Sequence, residues 1–596
     1  MVVDEKEVSF GLDGDQEEKP DQVSEEGPEQ TSVSGDKETS SEAEIEIVTS
    51  ADIEPIPEPE GRTEIIRTDY EIGQDNISKS LVLKFEFDIH HIVFTFSALG
   101  VVAFTFIALA LQNELEPVFT GLRNWLIDNL SWFFLLSGDI FVIVCLVLIP
   151  SPLGRIRLGG PKATPDYGYI GWFSMLFAAG MGIGLLFYGV SEPVSHYIAA
   201  FDGAVPSGGQ RVDVAPLGGA EGNVVEAVRL SMAATIFHWS LHAWAVYAIV
   251  ALSLALFSYN KGLPLTLRSS LYPILGERVW GWPGDLIDIM AIFATIFGLA
   301  TSLGVGAQQI SAGLDFLFGF GTSDAKLVML IIGITFIALI SVVRGIEGGV
   351  KVLSEINIGL AAILLLFIMI CGPTTWIVDV MFYSFVSYIK YLPQLSNPFF
   401  RGDQGFMHNW TAFYLAWWIS WSPFVGMFIA RVSRGRTVRE FLFAVLVIPM
   451  ILTVVWMSAL GGTAISQLVH EGFTGLHEVT LELKLFQMLT QLPMSGITSL
   501  IGIVLVVFFF ITSSDSSSLV IDTIAAGGKV NAPVVQRAFW AMLGGVVAIA
   551  LLLGGGITAL QAMALSTGLP FTIVLLAASY SLIRGLINEP KSNRRK

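Results

Sequence analysis

A chain of 596 residues that is 53% hydrophobic, 14% charged and of mean hydropathy +0.65 lies outside the range of soluble globular proteins and fits a protein that crosses a membrane many times. Its net charge of −19 is local: residues 1–60 hold 20 Asp/Glu against 3 Lys, a net of −17, which leaves about −2 for the remainder. No nucleic-acid partner is expected, and Cys145 and Cys371, in separate apolar runs, form neither a metal-like spacing nor a disulfide framework.

The chain opens with no cleavable-signal pattern. Residues 1–78 are rich in Glu, Ser, Gly and Pro and poor in aromatics, which predicts a disordered acidic tail. It serves either as a solvating tail or as a regulatory arm that meets basic loops. A transporter domain follows over 79–585, and 586–596 form a short basic tail.

Runs near 20 apolar residues span a bilayer core of ~30 Å. Twelve are expected, at about 91–111, 130–150, 169–190, 230–257, 286–311, 327–343, 355–371, 411–430, 441–461, 494–513, 534–553 and 557–583. An even number places both termini on one side. The loops and flanks of that side carry 21 Lys/Arg against 7 on the other, so both termini are expected in the cytoplasm. The stretch TWIVDVMFYSFVSYIKYL at 375–392 is amphipathic, which suits a helix along the outer surface or against a partner subunit.

Two spans look interrupted. The third carries AAGMGIGLLFYG at 178–189, with Gly180, Gly182 and Gly184; the eighth carries WWISWSPFVGMF at 417–428, with Pro423 and Gly426. Small residues at such spacing also serve close helix packing. Breaks five spans apart suggest two inverted five-helix repeats, spans 3–7 and 8–12, behind a pair of N-terminal helices. The predicted fold is therefore an all-α membrane protein of twelve transmembrane helices.

The fourth span contains FHWSLHAWAVY at 237–247. Counted from Leu230, Trp239 is ~13 Å and Trp244 ~21 Å into the span at 1.5 Å per residue, too deep for an interfacial belt. On a regular helix Trp239, Tyr247 and Trp244 fall at about 0°, 80° and 140°, on one face. Trp418 and Trp421, 7 and 10 residues past Thr411, also fall near the middle of span eight. With no Asp or Glu inside spans 3, 4 or 8, these rings would hold a cation by cation–π contacts alone. Ordinary helix packing is the other reading. His238 and His242, spaced i,i+4, fit a metal pair, a proton relay or packing histidines, and no third metal ligand is evident in the segment.

For a sodium ion, FFFITSSDSSS at 508–518 offers the hydroxyls of Thr512 and Ser513 beside backbone carbonyls freed near Ala178 and Met181. Span five offers Thr295. Such hydroxyls commonly bond back to their own helix. Asp515 is expected in a structural role. A channel should show a repeated pore motif or charged rings, and neither is present.

GMGIGLLFYG at 180–189, FHWSLHAWAVY at 237–247 and WWISWSPFVGMFIARVSRGRTVREF at 417–441 resemble the betaine/choline/carnitine transporter family over roughly residues 80–590. The resemblance implies a homotrimeric sodium symporter of the bacterial cell membrane that imports a small zwitterion or quaternary ammonium by alternating access. It implies an aromatic box of Trp239, Trp244, Tyr247 and Trp418, with Trp421 and Trp417 meeting substrate on the route inward beside Gly180, Gly182 and Gly184. It implies sodium at the carbonyls of Ala178 and Met181 with the hydroxyls of Thr512 and Ser513, and helix 375–392 as the trimer contact. Choline carriers of the family tend to place an acid where this chain has Gly184, which favours glycine betaine, ectoine or proline. Carnitine exchangers replace sodium with Arg and Met side chains that span five lacks. Thr295 matches one hydroxyl of a second sodium site, while Leu299 stands where the betaine symporter usually has Thr. Osmosensing members carry a long basic C-terminal tail; this chain's short one predicts little or no osmotic activation.

Overall fold

A computed structural model describes residues 57–80, 86–180, 182–207, 210–211, 213–345, 351–530 and 532–590. The acidic tail up to residue 56, Met181 and the last six residues of the basic tail, all named above, lie outside the described residues.

A two-stranded antiparallel hairpin, β1 (Asn76–Ser80) with β2 (Glu86–His90), leads into the helices. They follow as α1 (His91–Ala110), α2 (Gln112–Leu148), α3 (Tyr169–Gly180), α4 (Ile183–Asp202), α5 (Val224–Trp239) and α6 (Leu241–Ala255). After the one-turn α7 (Tyr272–Leu275) come α8 (Trp282–Phe318), α9 (Asp324–Gly345), α10 (Lys351–Cys371) and α11 (Thr374–Leu395). The short α12 (Gln404–Phe406) precedes α13 (Ala412–Val432) and α14 (Val438–Val469). Two further short helices, α15 (Gly475–Glu478) and α16 (Lys484–Thr490), lead to α17 (Ser495–Ala525) and α18 (Val534–Asn588).

Ten of the described helical segments are long and apolar enough to cross a membrane. The 55 residues of α18 would extend ~80 Å as one rod, far beyond a ~30 Å bilayer core. Gly556, at φ +59, breaks it into two pieces of membrane length, using a backbone conformation that glycine adopts without strain. The broken pair α3–α4 is not among the ten. The expected twelve crossings thus depend on counting α18 twice and α3–α4 once.

Burial sorts the helices. In their apolar windows the α5–α6 segment and α13 are each 94% buried, against 33% for α1 and 22% for α10. The aromatic-rich segments therefore form the centre, and α1, α9 and α10 turn toward lipid. The amphipathic stretch is a helix, α11, packed on α5 and α14 with Phe382 and Val386 exposed.

The breaks fall partly where the sequence placed them. α3 stops at Gly180 and α4 starts at Ile183, with Gly182 extended between them. The eighth span, by contrast, is unbroken: α13 runs through Pro423. Proline cannot donate to the carbonyl four residues back, but the hydroxyl of Ser422 donates to Ile419 O at 2.7 Å in its place. Gly426 serves packing instead, since a Cβ there would come within 2.5 Å of Val250 on α6. The second central break lies in the fourth span, at Ser240 (φ −118, ψ −115) between α5 and α6. The regular-helix phase used above for Trp239, Trp244 and Tyr247 therefore does not hold across that residue.

Both ends of the described chain sit at one end of the bundle. Glu60 pairs with Arg434 at 2.6 Å, Ile66 N donates to Lys261 O at 3.0 Å, and Lys261 pairs with Glu589 at 2.8 Å. Close by, buried Arg268 meets two acids from the first turns of α8, Asp288 at 2.5 Å and Asp285 at 3.0 Å. Removing its guanidinium leaves two buried carboxylates without their cation. Arg268→Ala is expected to cost ~3–5 kcal/mol, and Arg268→Lys should not restore it, because a single ammonium cannot serve both acids as a fork does. Thermal unfolding of the detergent-purified protein followed by helical circular dichroism checks this; an unchanged midpoint in Arg268→Ala would refute it.

Candidate functional site

The glycines around the α3–α4 break make room for rings. A Cβ on Gly184 would stand 2.8 Å from the tip of Trp239 and 2.8 Å from that of Trp417, and one on Gly182 would stand 3.4 Å from Trp421. Any larger residue at 184 would drive the two indoles apart.

From Trp239 the expected box rings follow one another in a chain of contacts. Trp239 meets Trp418 edge-on at 4.9 Å, Tyr247 meets Trp418 at 6.3 Å, and Trp244 meets Tyr247 at 5.6 Å with their planes perpendicular. Trp417 stacks on Trp418 at 5.1 Å. These edge-to-face and offset geometries are the ones aromatic quadrupoles favour. Trp421 stands apart on the side of α8, where its indole N–H donates to Gly298 O at 2.9 Å. A Cβ on Gly298 would come within 2.9 Å of that ring, so this glycine seats Trp421.

The break at Ser240 frees carbonyls that a buried position must satisfy. Side chains do so. The Ser240 hydroxyl donates to Ile236 O at 2.7 Å, Trp418 Nε1 to His238 O at 2.8 Å, and Thr453 to Trp239 O at 3.1 Å. The box residue Trp418 is thus locked by the interruption of the neighbouring helix.

Behind Trp239 lies a group that the sequence reading missed. Span three does not end near 190: α4 continues to Asp202 and carries Glu192, fully buried. Its Oε2 accepts from Trp239 Nε1 at 2.6 Å and from Tyr414 OH at 2.5 Å. Its Oε1 lies 2.6 Å from His238 Nδ1 and 3.2 Å from His196 Nε2. The inference that rings alone, without any carboxylate, surround the candidate cation position is corrected accordingly. An available signal was the i,i+4 pair Glu192 and His196; the hydropathy window closed just short of it.

The two histidines of FHWSLHAWAVY part company. His238 joins Glu192 and, through Nε2, Thr411 at 3.0 Å, whereas His242 meets Asp139 of α2 at 2.9 Å. They do not share a metal. Glu192, His196 and His238 do bring three ligand-type atoms within 4.8 Å of one another, but 2.6 Å between Oε1 and Nδ1 is a hydrogen-bond distance, with a proton between the atoms.

The candidate sodium residues are spread over α3, α8 and α17. Gly180 closes α3 just after Ala178, so carbonyls of the last turn lack helical partners. Thr512 donates to Phe508 O at 2.9 Å and Thr295 to Ala291 O at 2.7 Å, each bonded back into its own helix. A hydroxyl that donates this way keeps its lone pairs for another partner. Ser513 is buried, Asp515 accepts from Ser341 at 2.7 Å, and Leu299 lies against Gly544.

Apolar helices of membrane length packed around a buried cluster of indoles, with the fourth span interrupted beside it at Ser240, fit a multi-pass membrane transporter. The family model described as betaine/carnitine/choline family transporter matches residues 92–591, and the chain belongs to that family. It is 60% identical over 536 residues to a glycine betaine/proline/choline transporter of Vibrio parahaemolyticus, covering 90% of this chain and 97% of that protein. It is 51% identical over 538 residues to glycine betaine transporter 1 of the same organism, covering 88% and 97%. It is also 41% identical over 480 residues to the glycine betaine transporter OpuD of Bacillus subtilis, covering 80% and 90%.

Gly184→Ala tests the seat of the rings. The added methyl overpacks two indoles, at a cost of ~1–3 kcal/mol. The tryptophan emission maximum is expected to shift while helical circular dichroism stays unchanged. An unaltered emission spectrum would mean that the tips are not held at this glycine.

Proposed function

We propose that this protein imports compatible solutes of the glycine betaine, ectoine and proline type by sodium symport. The observation that carries the reading is the chain of ring contacts Trp239–Trp418–Tyr247–Trp244, which starts at Gly184 beside the α3–α4 break and lies in helices 94% buried in their apolar windows. Aromatic faces hold a methylated ammonium by cation–π attraction. The relatives' names, as transporters of glycine betaine, proline and choline, support the same substrate class. One relative is named for choline as well, so choline is the second reading within this class.

In the proposed cycle, the carbonyls of Ala178 and Met181 with the hydroxyls of Thr512 and Ser513 take the co-transported sodium. Thr295 is the candidate hydroxyl for a second ion, and Leu299, one turn later, counts against that second site. Two inverted five-helix repeats within twelve crossings would rock about the central site to alternate access. Trp421, Trp417, Gly180 and Gly182 would line the inward route. We further propose a homotrimer in contact through α11, a bacterial inner-membrane location and cytoplasmic termini.

The test is uptake into proteoliposomes offered labelled glycine betaine, ectoine, proline, choline and carnitine, with and without an inward sodium gradient, at low and raised osmolality. Sodium-dependent accumulation of at least one zwitterion is expected at both osmolalities; equal uptake without sodium would end the symport reading. Trp421→Leu is expected to reduce uptake to background while the protein still reconstitutes. Retained uptake in that variant would remove Trp421 from the route.

A further inference from the structure

Glu192 is a carboxylate with four neighbours and nothing left over. Trp239 Nε1 and Tyr414 OH approach one oxygen at 2.6 and 2.5 Å; His238 Nδ1 and His196 Nε2 approach the other at 2.6 and 3.2 Å. An ionised carboxylate offers about four lone-pair sites, and indole is a donor only. We therefore assign Glu192 as an ionised carboxylate to which all four groups donate, while His238 Nε2 lies 3.0 Å from the Thr411 hydroxyl. Its residues come from α4, α5 and α13, three of the helices that surround the box. Arg401, the guanidinium placed over Phe406 beside the two histidines, is already paired with Asp403 at 2.7 Å.

Trp239 is thus held between two charges. Its N–H edge faces the anion, and its ring belongs to the box proposed for the substrate's cation. A charge-assisted hydrogen bond to the N–H fixes the ring in place and polarises it, raising the electron density that the cation meets. A cation within about 6 Å of the ring centroid lies within roughly 10 Å of the carboxylate, in surroundings that screen poorly.

We propose that Glu192 is a specificity-determining positioning residue: through Trp239 it favours ligands that carry net positive charge in the box. This rests on the box being the substrate site. A choline-type cation gains the full attraction. A zwitterion gains at its ammonium and loses part of that at its own carboxylate. The residue that weighs cations against zwitterions therefore stands one ring behind the site.

The experiment compares the choline to glycine betaine KM ratio in wild type, Glu192→Gln, Glu192→Asp and Tyr414→Phe, by uptake or by competition of choline against labelled betaine in proteoliposomes. Glu192→Gln is expected to raise the choline KM on the order of tenfold and the betaine KM clearly less, the size of one charge about 10 Å away at an effective dielectric near 20. Glu192→Asp keeps the charge and should keep the ratio even if the maximal rate falls. Tyr414→Phe is near-isosteric and reports even if the Gln variant does not fold. With one donor fewer the charge is less compensated, so the ratio should fall. Equal loss of both substrates in Glu192→Gln, or a raised ratio in Tyr414→Phe, would overturn the inference. A wild type that takes up none of the zwitterions offered would instead overturn the proposed function.

Discussion

The contact between the Glu192 carboxylate and the Trp239 indole is the one on which the centre of this protein depends. A fully buried carboxylate is costly unless its lone pairs are met. Meeting them requires α4, α5 and α13 to stand in one arrangement, because the four groups come from those three helices. That arrangement aims Trp239 at Gly184 and brings Trp418 and Trp417 against it. The aromatic cluster is therefore a consequence of a polar anchor and of apolar packing together.

A second constraint acts alongside it. A membrane core supplies no water to a helix whose ladder is broken, so a break is tolerated only where protein satisfies the freed groups. The interruption at Ser240 meets this condition through its own hydroxyl, Trp418 and Thr453. It lies in a segment 94% buried in its apolar window, while α10, 22% buried, is continuous over its described length. Irregular backbone and candidate binding groups thus coincide for one physical reason: both need partners that lipid cannot provide.

Glycine takes two separate parts in this scheme. Gly184, Gly298 and Gly426 are needed for the closeness of a neighbour, an indole in the first two cases and Val250 in the third. Gly556 is needed for its backbone, which turns α18 with a positive φ. Sequence alone does not distinguish these parts, because the residue is the same and the neighbour is distant in the chain.

Much was nonetheless legible without coordinates. Hydropathy is a local property, so membrane-length helices followed from composition over short windows, and the triple glycine at 180–184 marked a break that α3 and α4 show. Depth along the span singled out Trp239, Trp244, Trp418 and Trp421, the family resemblance implied a box of Trp239, Trp244, Tyr247 and Trp418, and ring contacts link those four. The tertiary structure alone decided the rest. Pro423 did not break α13, because the hydroxyl of the preceding Ser422 replaces the missing N–H donor. Ser240 did break its span, with no glycine or proline to announce it, because side chains from α13 and α14 accept the disruption. Glu192 entered the centre although an apolar window ended before it, since a charge is admitted to such a place only by donors 46, 47 and 222 residues away in the chain. Local patterns set which segments are helical and apolar; partners distant in sequence set where those helices break and which charge they enclose.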